Sequence, residues 1–391
     1  MTRCFAVVAG IGLSWVALAL LPAQAQPAAN LHVWIGADKG VKGLRELGRQ
    51  FEQRTGVVVK VAHPDAVTDK FSQTAASGHG PDIMIWAHDR IGEWAQSGLI
   101  AVIDPPAALR DDVEAFAWQA VNYGGRLWGY PLAVESAGLI YNTAMVPQPP
   151  STFDEVIALS RRLESEGKWA LLWDYNTPFY SWSLMAANGG YAYAYRDGRY
   201  DTDDIGVASE GARQGGHMIR HLIDSGVMPQ GVTYSVAEAA FNRSDAAMMI
   251  SGPWAWPNIE RSGISFGVAP IPARASPALT GVLVAMINAN STNRLLAIEF
   301  IEHTLMTTNG LRTMNAESTL SAVPHKAYMA ELASDPRKKM TFDNARTGQL
   351  MPNIPEMGAF WSAMAPALAN ITAGRQTVDE ALDDAAKRMA R

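Results

Sequence analysis

Cysteine is almost absent from this sequence, whose 391 residues include one, Cys4. That residue lies in residues 1–25, where Arg3, an apolar run and an A-x-A site ending at Ala25 have the layout of a cleavable secretory signal peptide. An N-terminal membrane anchor is the alternative, but the small and polar residues after the site favour cleavage. The exported chain would then have no thiol, which excludes disulfides, iron–sulfur clusters and thiolate zinc sites.

Other absences narrow the function further. The sequence has no long basic run and a net charge of −6, so nucleic acid is not expected as a partner. After the leader no apolar run is long enough to span a bilayer. No glycine-rich phosphate loop and no nucleophile elbow occurs. We therefore expect a water-soluble protein of the periplasm, with no bound cofactor or metal.

The hydrophobic pattern of the first hundred residues indicates an α/β fold. Three buried strands are predicted, with the sequences LHVWIG (31–36), VVVKVA (57–62) and DIMIWA (82–87). Between the first two, a helix is predicted with an apolar face made of Val41, Leu44, Leu47 and Phe51. A strand–helix–strand repeat is typical of a parallel sheet covered by helices.

Charged side chains follow two of these strands. Asp38 and Lys39 come after the first strand, and Asp89 and Arg90 come after the third, close to Trp86. Ligands of open α/β sheets bind beyond the carboxyl ends of the strands, so these groups should face one crevice. A flat indole beside an acid and a base suits a sugar, which has apolar C–H faces and a rim of hydroxyls.

More aromatic residues stand among prolines and polar residues, away from periodic apolar faces. They are Phe179 and Tyr180 in NTPFYSW, Trp254 in SGPWAWPN and Trp361 in MPNIPEMGAFW. For any one tryptophan, filling a core is the commoner role. As a group, these residues favour carbohydrate binding.

Long segments of the sequence resemble the bacterial periplasmic maltose- and maltodextrin-binding proteins, the solute-binding proteins of ABC importers. The resemblance is collinear over nearly all of the chain after the leader, with one short gap near residues 272–279. The segments that carry it are VWIGADKGVKGL, GHGPDIMIWAHDRIGEWAQSGLIA, YPLAVESAGLIYN, TYSVAEAAFN, GPWAWPNI, MPNIPEMGAFW and GRQTVDEALDDA.

The resemblance implies the two-lobed periplasmic-binding-protein fold of type II, with discontinuous lobes and the ligand in the cleft between them. The N-terminal lobe would comprise residues 26–133 and 285–330, and the C-terminal lobe residues 138–279 and 337–391. The hinge segments would be 134–137, 280–284 and 331–336. The family's partners would be maltose or a related α-glucoside and the membrane subunits of an ABC importer, with the protein itself a monomer.

The family's sugar-contacting positions can be carried over where this sequence matches them. The first lobe would contribute Asp38, Lys39, Trp86, Asp89, Arg90 and Glu135. The second set would comprise Trp254, Met351 and Trp361, together with the aromatic pair Phe179 and Tyr180.

Several positions depart from the family pattern. Thr177 and Phe179 stand where the family has a glutamate and a tyrosine, and Ala365 stands where it has an arginine after the last tryptophan. Gly36, Ala66 and Thr68 replace an asparagine, a lysine and a glutamate. Losing one charged hydrogen-bond partner of a sugar costs about 1.5–3 kcal/mol. We expect maltose to bind still, while trehalose or another disaccharide stays open.

The polar residues also allow two other functions, hydrolysis of glycosides and metal binding. Asp89 with Glu135 or Asp38 could form the carboxyl pair of a glycoside hydrolase, but Lys39 and Arg90 beside them should keep these acids ionised. The protein is therefore not expected to be an enzyme. His217 and His221 have metal-ligand spacing on a predicted helix, but they lack a third ligand, so a solvated helix face is favoured.

Overall fold

The computed structural model describes residues 1–2, 30–37, 39–273, 277–316 and 320–391. The expected signal peptide, apart from its first two residues, and Asp38 lie outside the described residues. Within the described part of the chain, no helix combines the length and the apolar character needed to cross a membrane.

Fourteen strands form among the described residues, and in chain order they are β1 (Asn30–Ile35), β2 (Val58–Ala62), β3 (Ile83–Ala87), β4 (Asn122–Tyr123), β5 (Arg126–Leu127), β6 (Tyr130–Ser136), β7 (Gly138–Asn142), β8 (Trp169–Leu172), β9 (Tyr193–Arg196), β10 (Arg199–Ile205), β11 (Ala246–Ser251), β12 (Phe266–Ala269), β13 (Leu279–Ile287) and β14 (Gln349–Leu350).

Sixteen α-helices accompany these strands in the same ranges, and they are α1 (Val41–Thr55), α2 (Val67–Thr74), α3 (Ile91–Gln96), α4 (Ala107–Asp111), α5 (Ala115–Ala120), α6 (Phe153–Glu164), α7 (Pro178–Ala186), α8 (Glu210–Asp224), α9 (Tyr234–Asn242), α10 (Trp256–Ser262), α11 (Arg294–Phe300), α12 (Thr308–Met314), α13 (Lys326–Leu332), α14 (Pro336–Thr347), α15 (Met357–Thr372) and α16 (Val378–Met389). Short 3₁₀ turns cover His88–Arg90 and Pro253–Ala255.

The first sheet has six strands in the order β14-β13-β3-β1-β2, with β6 also paired to β13. β1 is parallel to both β2 and β3, which confirms the parallel arrangement predicted from the strand–helix–strand repeat. β13 is antiparallel to β3 and to β6 and is buried over its whole length, so the sheet is mixed. The sequence of such a strand, which is covered on both faces, is a nearly continuous run of apolar residues.

The second sheet has the order β12-β7-β11-β8, with β11 parallel to β8 and antiparallel to β7. Helices α6, α7, α8, α15 and α16 supply apolar side chains to the core on this sheet, while α1, α12 and α13 supply the core of the first sheet. Two sheets with two separate principal cores make this the two-lobed α/β fold that the resemblance implied.

Within the described ranges, the chain passes between the two lobes at three places. β6 ends in the first sheet at Ser136, and β7 starts in the second at Gly138. Leu279 at the start of β13 lies in the second core, whereas Val282 lies in the first. After β14, Met351 lies in the second core. The first two passages fall near the proposed hinge segments, and hinge motion there remains a prediction.

The third passage is spread over helix α14 and ends beyond the expected hinge segment 331–336. Helix α14 contacts strands β6 and β12, which belong to different sheets, and its residue Ala345 belongs to the first core. The change of core therefore comes after α14, between Leu350 and Met351.

Candidate functional site

The carboxyl ends of β1 and β3 lie side by side, because Ile35 pairs with Ile85 in parallel register. Lys39 follows β1, and the 3₁₀ turn His88–Arg90 follows β3. The Lys39 Nζ lies 2.5 Å from the Glu135 Oε1 of β6, and these side chains are 16% and 20% exposed. The fold therefore brings the predicted residues Lys39 and Glu135 into one shielded ion pair.

Lys39 also reaches the second lobe. Its Nζ lies 5.5 Å from the ring centroid of Trp254, which sits in the 3₁₀ turn after β11. A Cβ on Gly252 would lie 2.2 Å from this ring, so only glycine lets the indole lie against the backbone here. A cation near an indole face is an attractive contact, and here it joins the two lobes.

Trp254 belongs to an aromatic cluster on the second lobe. Phe179 and Tyr180, in the first turn of α7, have ring centroids 5.9 and 6.1 Å from that of Trp254. Tyr180 stacks on Tyr234 with centroids 5.9 Å apart and planes 20° apart. Burial raises the pKa of Tyr180, so its hydroxyl stays protonated and can donate a hydrogen bond.

A second contact between the lobes joins Asp89 and Trp361. The Trp361 Nε1–H, on α15, donates to the Asp89 Oδ2 at 3.2 Å. The Asp89 Oδ1 is buried and has no hydrogen-bond partner among the described residues. Burial raises the pKa of Asp89 to about 6, against the lowering effects of the Arg90 charge and of the Trp361 bond. An orphaned carboxylate oxygen of this kind suits a ligand that donates a hydroxyl proton.

The other predicted residues lie at the margins of this arrangement. Arg90 donates to the Glu93 Oε2 at 3.0 Å, so its charge is partly held by its own turn. Trp86 is partly buried and packs against the first core. Met351 is only 5% exposed and belongs to the second core, so it packs mainly against apolar side chains. Asp38 lies outside the described residues.

Sequence reasoning missed two residues that the fold brings to this region, Tyr234 and His88. Tyr234 lies in TYSVAEAAFN and His88 in IMIWAHDR, both within the segments that carry the resemblance. Tyr234 is the first residue of α9, and nothing in its local sequence indicates that its ring stacks on Tyr180 of α7. Both partners of His88 are backbone groups of distant segments, so the residues around it in the sequence give no indication of its contacts.

Three of the positions that depart from the family pattern lie within four residues of a predicted site residue. Thr177 is the N-cap of α7, and its hydroxyl donates to the Asp174 Oδ2 at 3.0 Å. Ala365 lies one helical turn after Trp361 on α15. The backbone carbonyl of Gly36 accepts from the Lys39 N–H at 3.2 Å and so shapes the turn after β1. The region near Trp361 and Phe179 therefore has fewer charged side chains than the resemblance would imply.

The structure offers little support for a metal centre. No group of three histidine, cysteine, aspartate or glutamate side chains within the described ranges could hold a metal ion. His217 and His221 lie on the exposed face of α8, as predicted, and the His217 Nε2 is 3.9 Å from an Asp379 oxygen.

Comparison with known proteins gives the chain its relatives. A galactooligosaccharide-binding protein of Bacillus subtilis (strain 168) is 26% identical over 372 residues, covering 92% of this chain and 88% of the relative. A maltotriose-binding protein of Pyrococcus abyssi (strain GE5 / Orsay) is 30% identical over 314 residues, covering 75% and 66%. A maltooligosaccharide ABC transporter solute-binding lipoprotein of Streptococcus pneumoniae (strain ATCC BAA-255 / R6) is 25% identical, covering 93% and 89%.

These relatives are named as binding proteins. The family model described as bacterial extracellular solute-binding protein matches residues 37–309, which is more than half of the chain and includes strands of both sheets. The family assignment and the two-lobed α/β fold agree with each other and with the resemblance noted from the sequence segments. The chain therefore belongs to the bacterial extracellular solute-binding proteins.

Proposed function

We propose that this protein is a periplasmic sugar receptor that binds maltose or a related α-glucoside between its lobes and delivers it to an ABC importer. The observation that carries the proposal is the Asp89 carboxylate, whose Oδ2 accepts from Trp361 while Oδ1 is buried without a partner among the described residues. A sugar hydroxyl is the kind of donor that such an oxygen requires.

Aromatic rings on the second lobe support a sugar over an amino acid or an ion. Trp254, Phe179, Tyr180 and Tyr234 form one cluster, and Trp361 stands beside the first-lobe acid. Rings of this kind bind the apolar faces of pyranoses, and Glu135 and Asp89 accept from their hydroxyls. The Lys39 ammonium, already paired with Glu135, is a further donor at the same place.

The mechanism we propose is closure of the two lobes around the sugar. A ligand shifts such an equilibrium only through contacts that are better made in the closed form. Lys39 with Trp254 and Asp89 with Trp361 are two of the contacts that join opposite lobes. A sugar held between the same four side chains would add its own hydrogen bonds to both lobes. Motion would occur near residues 134–137 and 280–284 and at the third passage, between Leu350 and Met351.

Two of the relatives are named for maltooligosaccharides or maltotriose, which supports an α-glucoside. A galactooligosaccharide is the second candidate, because the relative named for that ligand matches 92% of this chain. Thr177 and Ala365 also leave the pocket with fewer charged groups than the maltose receptors have. An exported, monomeric receptor with a cleaved leader completes the proposal, and catalysis is not part of it.

A titration of tryptophan fluorescence tests the proposal. The purified protein is titrated with maltose, maltotriose, trehalose, a β-galactobiose and glucose, and each mixture is assayed for released monosaccharide. We expect a saturable change with maltose or maltotriose and no release. A response to the galactobiose alone would indicate a galactooligosaccharide as the ligand. Release of glucose would show that the protein is a hydrolase, and no fluorescence change with any of the sugars would overturn the proposal.

A further inference from the structure

His88 is a fully buried histidine between β3 and the candidate ligand Asp89. The backbone N–H of Val282 donates to its Nδ1 at 2.9 Å, and its Nε2 lies 2.8 Å from the carbonyl oxygen of Met351. A peptide N–H can only donate and a carbonyl can only accept. Both partners therefore require the neutral imidazole with its proton on Nε2.

The two partners of His88 belong to two other passages of the chain. Val282 lies in β13 next to Gly281, and Gly281 pairs with Glu135 of β6. Met351 follows β14 and begins the segment that leads into α15, which carries Trp361. One imidazole thus joins the turn that holds Asp89, the strand beside Glu135 and the approach to Trp361.

The packing around these passages leaves little room for adjustment at Gly281. A Cβ added there would lie 3.2 Å from the methyl group of Met351 and 3.6 Å from the Cβ of Glu135.

The segment after Met351 is equally constrained. A Cβ on Gly92 would lie 2.6 Å from the backbone oxygen of Asn353. The Asn353 amide donates to the carbonyl oxygens of Ala120 and Asn122 at 2.9 and 2.8 Å. The backbone near His88 is therefore fixed on several sides, and a change in the ring's hydrogen bonds should be transmitted to the neighbouring turn.

We propose that His88 is a positioning residue of the sugar site, which sets the place of Asp89 relative to Glu135 and to the segment that carries Trp361. The inference rests on the proposed sugar-binding function. His88 itself is out of reach of a ligand, so its effect on affinity passes through Asp89. Sites are held to about 0.5 Å by such supporting hydrogen bonds, and their loss weakens binding without removing a direct contact.

Three substitutions separate the two hydrogen bonds. His88→Phe keeps an aromatic ring and removes both bonds. His88→Asn can still accept from the Val282 N–H, and His88→Gln can still donate to the Met351 carbonyl. Tyr130→Phe is the matched control, because Tyr130 is buried in the first core and its hydroxyl donates to the Glu302 Oε1 at 2.6 Å. Each variant is assayed for its dissociation constant with the best sugar and for its midpoint of urea unfolding.

We expect His88→Phe to weaken binding about tenfold or more, with partial recovery in the asparagine or the glutamine variant. The control should lose stability and keep its affinity. Wild-type affinity in His88→Phe would overturn the proposal, and so would equal losses of affinity in His88→Phe and in the control. If His88→Phe does not fold, unchanged affinity in both other variants would overturn it.

A double-variant cycle tests whether His88 acts through Asp89. In an Asp89→Asn background, the further change at His88 should weaken binding much less than it does in the wild type, because the group that it positions is already altered. Equal effects in both backgrounds would contradict the positioning role. A wild-type protein that binds none of the sugars would refute the proposed function, whereas additive effects in a sugar-binding protein would refute this inference alone.

Discussion

Asp89 and Trp361 meet across the two lobes, with the indole Nε1–H donating to one carboxylate oxygen at 3.2 Å. The two residues are 272 positions apart, and each is one of the sugar contacts predicted for its own lobe. One hydrogen bond therefore joins the indole that we propose to stack on the sugar to the carboxylate that we propose to accept from its hydroxyls. The second oxygen of Asp89 is buried beside it and has no partner among the described residues, so a ligand that enters while the lobes are apart can complete the set.

Replacing Trp361 tests this relationship. Trp361→Ala removes the stacking face and the indole donor, and we expect the dissociation constant for the bound sugar to rise about tenfold to hundredfold. Trp361→Phe keeps a ring and loses the donor, so its effect should be smaller. Isothermal titration calorimetry measures both. Trp169→Ala, at a partly buried tryptophan of β8, is the control and should keep the wild-type affinity. Full affinity in Trp361→Ala would contradict the stacking role.

Sugar affinity should depend on pH through Asp89, whose pKa in the free protein is about 6. Sugar hydroxyls donate to the ionised carboxylate, so binding should lower this pKa. Affinity is then constant above about pH 7 and falls as the pH drops through 6, by up to about tenfold per pH unit. Titrations between pH 4.5 and 8 check the profile. Asp89→Asn should bind more weakly at pH 7.5 and lose most of this dependence, and an unchanged slope would assign the dependence to another group.

The stability of the free protein should show two opposite effects of acid. Burial lowers the pKa of His88 from 6.5 to about 4, so the unfolded chain binds the extra proton and this group's contribution to stability is lost as the pH falls from 6.5 to 4. Burial raises the pKa of Asp89 from 3.8 to about 6, so its effect is reversed: stability increases as the pH falls through 6.

Single substitutions should separate these two contributions. Relative to the wild type, Asp89→Asn should lose stability more steeply between pH 6 and 4, and His88→Phe less steeply. The difference should reach about 1 kcal/mol per pH unit in the free energy of unfolding. Urea unfolding at pH 7, 6, 5 and 4 measures it. Parallel curves for all three proteins would show that neither group titrates in this range.

Restoring a charged donor near Trp361 should strengthen binding. Ala365 lies one turn after Trp361 on α15 and is half-buried. An arginine there would have a guanidinium on the side of the indole, able to donate to a sugar hydroxyl. We expect Ala365→Arg to bind maltotriose about tenfold more tightly, as a charged hydrogen bond contributes about 1.5–3 kcal/mol. Ser362→Arg, at an exposed position of the same helix, should leave affinity unchanged. Unchanged affinity in Ala365→Arg would mean that the sugar does not extend to this end.

Local features of the fold were determined by the sequence itself. Apolar runs predicted β1, β2 and β3 within one residue of their bounds, and helical spacing predicted the buried face of α1, because the buried side of an element is set by its own pattern. The capping box of α16 is such a local feature, with Thr377 and Glu380 each accepting from the other's backbone N–H. At Thr152 only half of a capping box forms, since Glu155 accepts from the Ser151 N–H instead. Short-range hydrogen bonds of this kind depend on a few neighbouring residues.

Long-range contacts were decided only by the tertiary structure. Periodicity identifies an apolar face or a polar strand end, but it cannot specify which distant segment covers it. The resemblance of the segments indicated Lys39, Glu135, Asp89 and Trp361. The contacts of Lys39 with Glu135 and of Asp89 with Trp361 depend on how the chain passes between the lobes after β6, at β13 and before α15. The bonds that His88 makes depend on the same passages, because both of its partners are backbone groups, and backbone groups carry no side-chain signature in a sequence.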